Sequence, residues 1–104
     1  MNIAKLMKQA QDMQAKMQSA QADLAQRTVE IQAGGGKVTV VATGAGDVVS
    51  LKIDPSIVDP ADVEFLQTLV LTGVQQAIEA GRALASAEMG KLTGGMGLPP
   101  GMGF

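Results

Sequence analysis

Four residue types that carry much of protein chemistry are missing from this chain, which has no cysteine, histidine, tryptophan or tyrosine. Without cysteine there is no disulfide framework, no thiolate nucleophile and no zinc knuckle. Without histidine the commonest general base and metal ligand is also missing. The serines have no activating base near them in the sequence. We therefore expect no catalytic residues, no metal site and no cofactor, and the chain is predicted not to be an enzyme.

Aromatic residues are almost absent, because Phe65 and Phe104 are the two that occur in 104 residues. A core built from Val, Ile, Leu, Met and Ala buries less area per residue than one with large aromatic side chains. One small domain of this kind leaves apolar surface uncovered, and self-association is the usual way to cover it. We therefore expect a homodimer.

The chain also lacks a long uncharged apolar run. Lys5, Lys8 and Asp12 interrupt the N-terminal region at helical spacing, which is unlike a signal peptide. The longest apolar stretch, residues 65–78, contains three glutamines and is too short to cross a bilayer. These features predict a soluble, cytoplasmic protein with no membrane partner.

The rest of the chain is organised around a central β-prone region, residues 28–55. Valine, isoleucine and threonine alternate with polar residues in three short runs, which are typical of strands. The runs cover Thr28–Ala33, Lys37–Thr43 and Val48–Asp54. The glycine-rich connections between them are short enough for hairpins, so we expect a three-stranded antiparallel meander. Val41 interrupts an otherwise polar face, which suggests that a partner covers this face of the sheet.

The two glycine clusters do not match nucleotide-binding motifs. The run Gly34–Lys37 is followed by Val38, where a phosphate-binding loop needs serine or threonine, and it joins two strands instead of opening a helix. The second cluster, Gly44–Asp47, lacks the third glycine of a dinucleotide fingerprint. Both clusters are predicted to be turns that use positive φ angles.

Helices are predicted on both sides of the sheet. Residues 2–27 carry apolar side chains at alternating steps of three and four, the spacing of a helical packing seam. The members of this seam are Ile3, Leu6, Ala10, Met13, Met17, Ala20 and Leu24. A helix of this length, about 39 Å, is longer than a small sheet can cover, so part of it should project.

The second helix is predicted to begin with Asp59 as its N-cap and Pro60 at its first position. A line of small residues, Gly73, Ala77 and Gly81, indicates close packing against a neighbouring element. We expect one domain over residues 1–92. The Gly- and Pro-rich residues 93–104 are predicted to form a disordered tail.

The net charge is −2, but it is unevenly distributed. Residues 1–27 hold four basic and two acidic residues, whereas residues 55–104 hold two basic and five acidic residues. An anionic ligand is therefore expected on the first helix, where Lys5 and Lys8 lie on the outer face and Lys16 flanks the seam. Single-stranded nucleic acids are usually bound by exposed aromatics, which are scarce here, whereas duplex DNA needs only lysine and arginine. Charge alone favours the simpler interpretation that these lysines are ordinary solvent-exposed side chains with no ligand.

The order of elements and four segments resemble the YbaB/EbfC family of bacterial nucleoid-associated proteins. The segments are residues 5–11 (KLMKQAQ), residues 34–40 (GGGKVTV), residues 53–56 (IDPS) and residues 97–101 (GLPPG). The resemblance implies an α+β fold with α-β-β-β-α order, in which two subunits form a tweezer-like homodimer around duplex DNA. It also implies a cytoplasmic protein of the nucleoid that influences nucleoid organisation and gene expression.

Carried over by position, the resemblance implies DNA-binding roles for Lys5, Lys8 and Lys16 on the first helix, and for Arg82 and Lys91 on the second. Contacts of this kind would be made mainly with phosphates and would show little sequence specificity. The alternative is a dimeric protein–protein interaction scaffold whose association with DNA is indirect.

Overall fold

The computed structural model describes residues 2–94, which form two long helices and a three-stranded sheet. The elements in chain order are α1 (Ile3–Gln26), β1 (Thr28–Ala33), β2 (Val38–Thr43), β3 (Val48–Ile53), a 3-10 helix (Pro55–Ile57) and α2 (Val63–Gly94). The strands pair antiparallel in the order β1-β2-β3. This confirms the predicted α+β fold, its α-β-β-β-α order and its meander. Helix α2 includes the first two residues of the predicted tail, and residues 95–104 lie outside the described residues.

The core lies between α2 and one face of the sheet. In the register of the sheet Val40 lies opposite Ile31 on β1 and opposite Leu51 on β3. Val38 and Val40 of the central strand are completely buried, as is Ala77 of α2. Alternation places Val29, Ile31 and Ala33 of β1 and Val38, Val40 and Ala42 of β2 on the face beneath α2, whereas Val41 lies on the other face. The core is small, as the scarcity of aromatic residues predicts.

The line of small residues on α2 allows the helix to lie directly on the sheet. A Cβ atom at Gly73 would come within 3.1 Å of Val40 Cγ2, and one at Gly81 would collide with the main-chain carbonyl of Thr43. Ala77, between them, is fully buried. The prediction of close packing along this line is confirmed, and the neighbour is the sheet.

Strand β3 is only partly covered. Helix α2 packs over β1 and β2 and barely touches β3. The register shifts between Val41 and Ala42, which pair with Ser50 and Val48. Val49 therefore has no partner on β2 and interrupts the alternation expected for β3. Because α2 leaves β3 largely uncovered, Val48, Val49 and Leu51 are exposed, with relative accessibilities of 39%, 58% and 44%.

Helix α2 begins three residues later than its sequence signals predict. The Asp62 side chain accepts a hydrogen bond from the Phe65 amide at 3.2 Å, which makes Asp62 the capping residue. Asp59 instead closes a turn, because its Oδ1 accepts from the Ala61 amide at 2.9 Å and its carbonyl accepts from the Asp62 amide at 2.9 Å. The prediction of Asp59 as the N-cap was therefore wrong.

The glycine clusters are hairpin turns, as predicted. Gly34, Gly35 and Gly36 have φ angles of 62°, 69° and 90°, and Gly46 has a φ of 88°. Gly44 is needed for a different reason, because a Cβ there would lie 2.9 Å from both the Leu24 carbonyl oxygen and Leu24 Cδ2. The Gly44 amide donates to the carbonyls of Leu24 and Arg27, each at 3.0 Å. This turn therefore holds the C-terminal end of α1 against the sheet.

The N-terminal half of α1 projects from the rest of the molecule. Asn2 caps the helix by accepting from the Lys5 amide at 3.2 Å, and every residue from 2 to 12 is exposed. Of the helix residues, Leu24 alone is buried. The molecule measures 72 × 24 × 16 Å, and its radius of gyration is 19.5 Å. A compact chain of this length would have a radius of about 13 Å, so the molecule is an elongated body with an extended arm.

Candidate nucleic-acid interface

Three lysines lie along one side of the projecting arm. Lys5, Lys8 and Lys16 are all exposed on α1. Lys5 and Lys8 are one turn apart, and Lys16 lies about three turns beyond Lys5 on the same side of the helix. The row is about 16 Å long, which matches the rise of about five base pairs of duplex DNA. We call this side of α1, defined by Lys5, Lys8 and Lys16, the lysine face.

The lysine face also contains acidic residues that lower its charge. Asp12 lies four residues after Lys8 and four before Lys16, so it is a neighbour of both on the helix surface. Asp23 lies five turns beyond Lys5 and is therefore on the same side. Among the described residues, none of the ion pairs involves Lys5, Lys8 or Lys16.

Lys91 does not stand alone on α2. Its Nζ lies 3.4 Å from Glu88 Oε1, and the same oxygen lies 3.0 Å from Arg27 Nη1. The hydrogen bond from Arg27, followed by that from Lys91, lowers the pKa of the Glu88 carboxyl below its ordinary value. Arg27 follows the last residue of α1, so this cluster links the base of the arm to the C-terminal part of α2. We call Arg27, Glu88 and Lys91 the Glu88 cluster.

A shallow cleft connects the Glu88 cluster to the lysine face. It is lined by Ala20, Asp23 and Leu24 of α1 and by Glu88, Lys91 and Leu92 of α2. Asp23 belongs both to this cleft and to the lysine face. The two helices pack against each other here, where Arg27 at the end of α1 pairs with Glu88 of α2. The surface thus continues from the arm lysines to Lys91 and Arg27.

Arg82 is placed away from this surface. It is exposed on α2 and lies nine residues before Lys91, which corresponds to two and a half helical turns and so to the opposite side of the helix. Glu79, one turn earlier, is its neighbour. The structure therefore groups Lys5, Lys8, Lys16 and Lys91 on one continuous surface and separates Arg82 from them.

Lys37, which completes the first glycine cluster, is directed toward an acidic partner. Its Nζ lies 3.4 Å from Asp54 Oδ2. Asp54 also accepts a hydrogen bond from the Ser56 amide at 2.8 Å, and this bond is the largest of the effects that lower the pKa of Asp54. Lys37 and Asp54 thus connect the first hairpin turn to the end of β3, and the Asp54 amide also donates to the Lys37 carbonyl at 2.7 Å.

The part of the chain that the structure describes offers neither a metal site nor a membrane-spanning helix. Between residues 2 and 94 no three acidic side chains are grouped so that they could hold a metal ion. No helix in the same range combines the length and hydrophobicity needed to cross a membrane.

The molecule is therefore a small α+β protein with a projecting helix that carries exposed lysines. Residues 1–96 match the model of the YbaB/EbfC DNA-binding family. A nucleoid-associated protein of Akkermansia muciniphila is 56% identical over 104 residues, covering 100% of both chains. One of Ruminiclostridium cellulolyticum is 48% identical over 101 residues, covering 97% of this chain and 88% of the relative.

The fold is also found in a solved structure. The crystal structure of an uncharacterized protein from Helicobacter pylori superposes with a TM-score of 0.77, covering 89% of this chain and 98% of that one. At 20% identity this likeness shows the fold alone. The family match and the relatives show that the chain belongs to the YbaB/EbfC DNA-binding family, which confirms the resemblance seen in the sequence.

Proposed function

We propose that this chain is a nucleoid-associated protein that binds double-stranded DNA as a homodimer, mainly through phosphate contacts and with little sequence specificity. The observation that carries the proposal is the exposed lysine face on a projecting helix in a chain of this DNA-binding family. Its place of action is the nucleoid in the cytoplasm, where it influences DNA organisation and gene expression. Its role is binding, without catalysis.

The chemistry of the surface favours duplex phosphates over bases. Lysine presents a point charge on a flexible stem, which suits phosphate contacts and gives little base readout. Single-strand binding needs stacking platforms, and Phe65 is the one aromatic side chain among residues 2–94. Phe65 is exposed at the start of α2, whereas the lysine face lies on α1. A duplex lying along the arm is the ligand that this surface fits.

The uncovered strand supports the dimer. Val48, Val49 and Leu51 form an apolar patch on β3 because α2 covers only the other two strands. An exposed edge strand with apolar side chains is a surface that proteins normally cover. In the proposed dimer a second copy covers this patch, and two arms then flank one duplex. Two lysine faces double the number of phosphates that can be neutralised.

The salt dependence of DNA affinity tests the proposal. Three lysines in each of two subunits predict a slope of about −5 for log affinity against log salt, or about a thousandfold loss between 50 and 200 mM. Fluorescence anisotropy with two labelled duplexes of unrelated sequence should give similar affinities and similar slopes. No binding at low salt, or a flat slope, would contradict the proposal.

The scaffold alternative is favoured by one observation at the tip of the arm. Ile3, Leu6 and Met7 have relative accessibilities of 69%, 48% and 58%, an apolar surface that a protein partner could cover. If the chain were a scaffold, the proteins that co-purify with it in a pull-down would still be recovered after nuclease treatment. Under the DNA-binding proposal, nuclease should release the proteins that co-purify with it.

A further inference from the structure

The Glu88 cluster contributes less to holding the base of the arm than the packing and main-chain hydrogen bonds around Leu24 do. The side chains of Arg27 and Glu88 keep 42% and 27% of their accessible surface, and exposed ion pairs of this kind contribute little to stability. The arm is fixed instead by the buried Leu24 and by the amide of Gly44, which donates to the carbonyls of Leu24 and Arg27. The ion pairs therefore have another effect, which is to neutralise positive charge.

The charge that Glu88 neutralises lies beside the lysine face. Lys91 and Glu88 line the cleft together with Asp23, and Asp23 lies on the same side of α1 as Lys5. A duplex lying along the arm would therefore pass the Glu88 cluster at the base of α1. The carboxylate there repels a phosphate and competes with it for the same cationic partners.

Arg27 is the better phosphate ligand of the two cations. Its guanidinium presents five N–H donors in a planar fork that matches a phosphodiester, and Glu88 meets it through Nη1. Arg27 is also held in place, because the preceding helix ends there and its own amide donates to the carbonyls of Asp23 and Leu24, at 3.1 and 3.2 Å.

We propose that Arg27 is a latent phosphate-binding residue at the base of the arm, and that Glu88 limits the DNA affinity of this protein by holding it. The ligand is a backbone phosphodiester of the duplex, and DNA and Glu88 compete for the guanidinium. The inference rests on the proposed function, because it concerns an additional contact for the same duplex.

The test compares Glu88→Gln with Glu64→Gln in anisotropy titrations of a labelled duplex. Both substitutions remove one negative charge from α2 and keep the shape of the side chain, but Glu64 lies in the first turn, far from the cluster. Glu88→Gln should raise affinity at 50 mM salt about fivefold, the effect of one unit charge a few ångströms away in water. It should also steepen the salt slope by about 0.9 for each subunit. Circular dichroism checks that both variants fold.

A double-mutant cycle then assigns the gain to Arg27. Arg27→Gln should weaken binding more in the Glu88→Gln background than in the wild-type chain. The inference is overturned if Glu88→Gln binds no better than Glu64→Gln, or if its gain survives the loss of Arg27. Failure of both the wild type and Glu88→Gln to bind any duplex would instead overturn the proposed function.

Discussion

Gly81 of α2 lies directly against the main-chain carbonyl of Thr43 at the end of β2. No other residue type fits here, because a Cβ atom would collide with that carbonyl, and backbone cannot move aside as a side chain can. The contact sets the distance between α2 and the sheet. Since Gly44, the next residue after Thr43, holds the end of α1, the same turn fixes the position of both helices.

Gly81→Ala is expected to destabilise the fold. Overpacking costs about 1–3 kcal/mol, and the collision with a main-chain carbonyl places Gly81 at the upper end, above the gain of about 1 kcal/mol from the better helix propensity of alanine. Gly90→Ala is the matched control, because no atom beyond its own turns of helix backbone lies within 4 Å of its added Cβ and the same propensity gain applies. Urea denaturation at equal protein concentration should show the first variant less stable and the second at least as stable as wild type. Equal stabilities for the two variants would contradict the packing account.

Leu51→Asp is expected to separate the proposed dimer. Leu51 is 44% exposed within one subunit, so a charge there is tolerated by the monomer but not by an apolar interface. Ser50→Asp introduces the same charge one residue away on the opposite face of the sheet, beside Val41. Light scattering should give twice the 10.6 kDa chain mass for wild type and Ser50→Asp, and the single mass for Leu51→Asp. A single mass for Ser50→Asp and twice that mass for Leu51→Asp would instead place the interface on the face that contains Val41.

Asp12→Asn is expected to strengthen DNA binding. Asp12 lies between Lys8 and Lys16 on the lysine face, so its charge opposes the phosphates that those lysines attract. Removing it should raise affinity severalfold at low salt, with a smaller effect at high salt. Asp59→Asn is the control, because it removes the same charge from the turn before α2, and asparagine can keep the bond to the Ala61 amide. Equal effects of the two substitutions would show that net charge alone, and not the lysine face, determines affinity.

Asp54→Asn is expected to remove part of the pH dependence of stability. The folded state lowers the pKa of Asp54 from its ordinary value of 3.8, through the Ser56 hydrogen bond first and Lys37 second. A lowered carboxyl pKa stabilises the fold above pH 3.8, and this contribution is lost as pH falls through the folded-state pKa. Wild type should therefore be more stable than the variant at pH 7, and the difference should shrink as pH falls below about 3.8. Thermal unfolding across this pH range measures the stability difference. A difference that stays constant with pH would contradict a contribution from the lowered pKa of Asp54.

Local patterns predict the elements of this fold well. The strands are found within one residue of their expected ends, because alternation and glycine turns are encoded in neighbouring residues. The start of α2 was misplaced because Asp59-Pro60 and Asp62 both fit the signals of a helix start, and the choice depends on which side chain reaches an amide. The register shift at Val41 and Ala42 has no local signal, and neither does the position of α2, which leaves β3 exposed.

The candidate interface is only partly predictable from the sequence, because some of its contacts join residues that are distant along the chain. Exposure of Lys5, Lys8 and Lys16 follows from the apolar seam, and the position of Asp12 could have been found from its spacing to Lys8 and Lys16. The pairing of Arg27 with Glu88 joins residues that are distant in sequence, so it required the packing of α1 against α2. The separation of Arg82 from Lys91 follows from helical spacing once α2 is known to be continuous.

The most direct test of the account is the salt dependence of duplex binding after neutralising the lysine face. The triple variant Lys5→Gln, Lys8→Gln and Lys16→Gln keeps residues that favour helices, and a variant with Lys37→Gln and Lys52→Gln removes lysines from the sheet region as a control. The slope should be about −5 for wild type and should fall toward zero in the triple variant, with at least about a hundredfold loss of affinity at low salt. The control should stay near wild type. A triple variant that binds duplex DNA with the affinity and slope of the wild type would contradict the central claim.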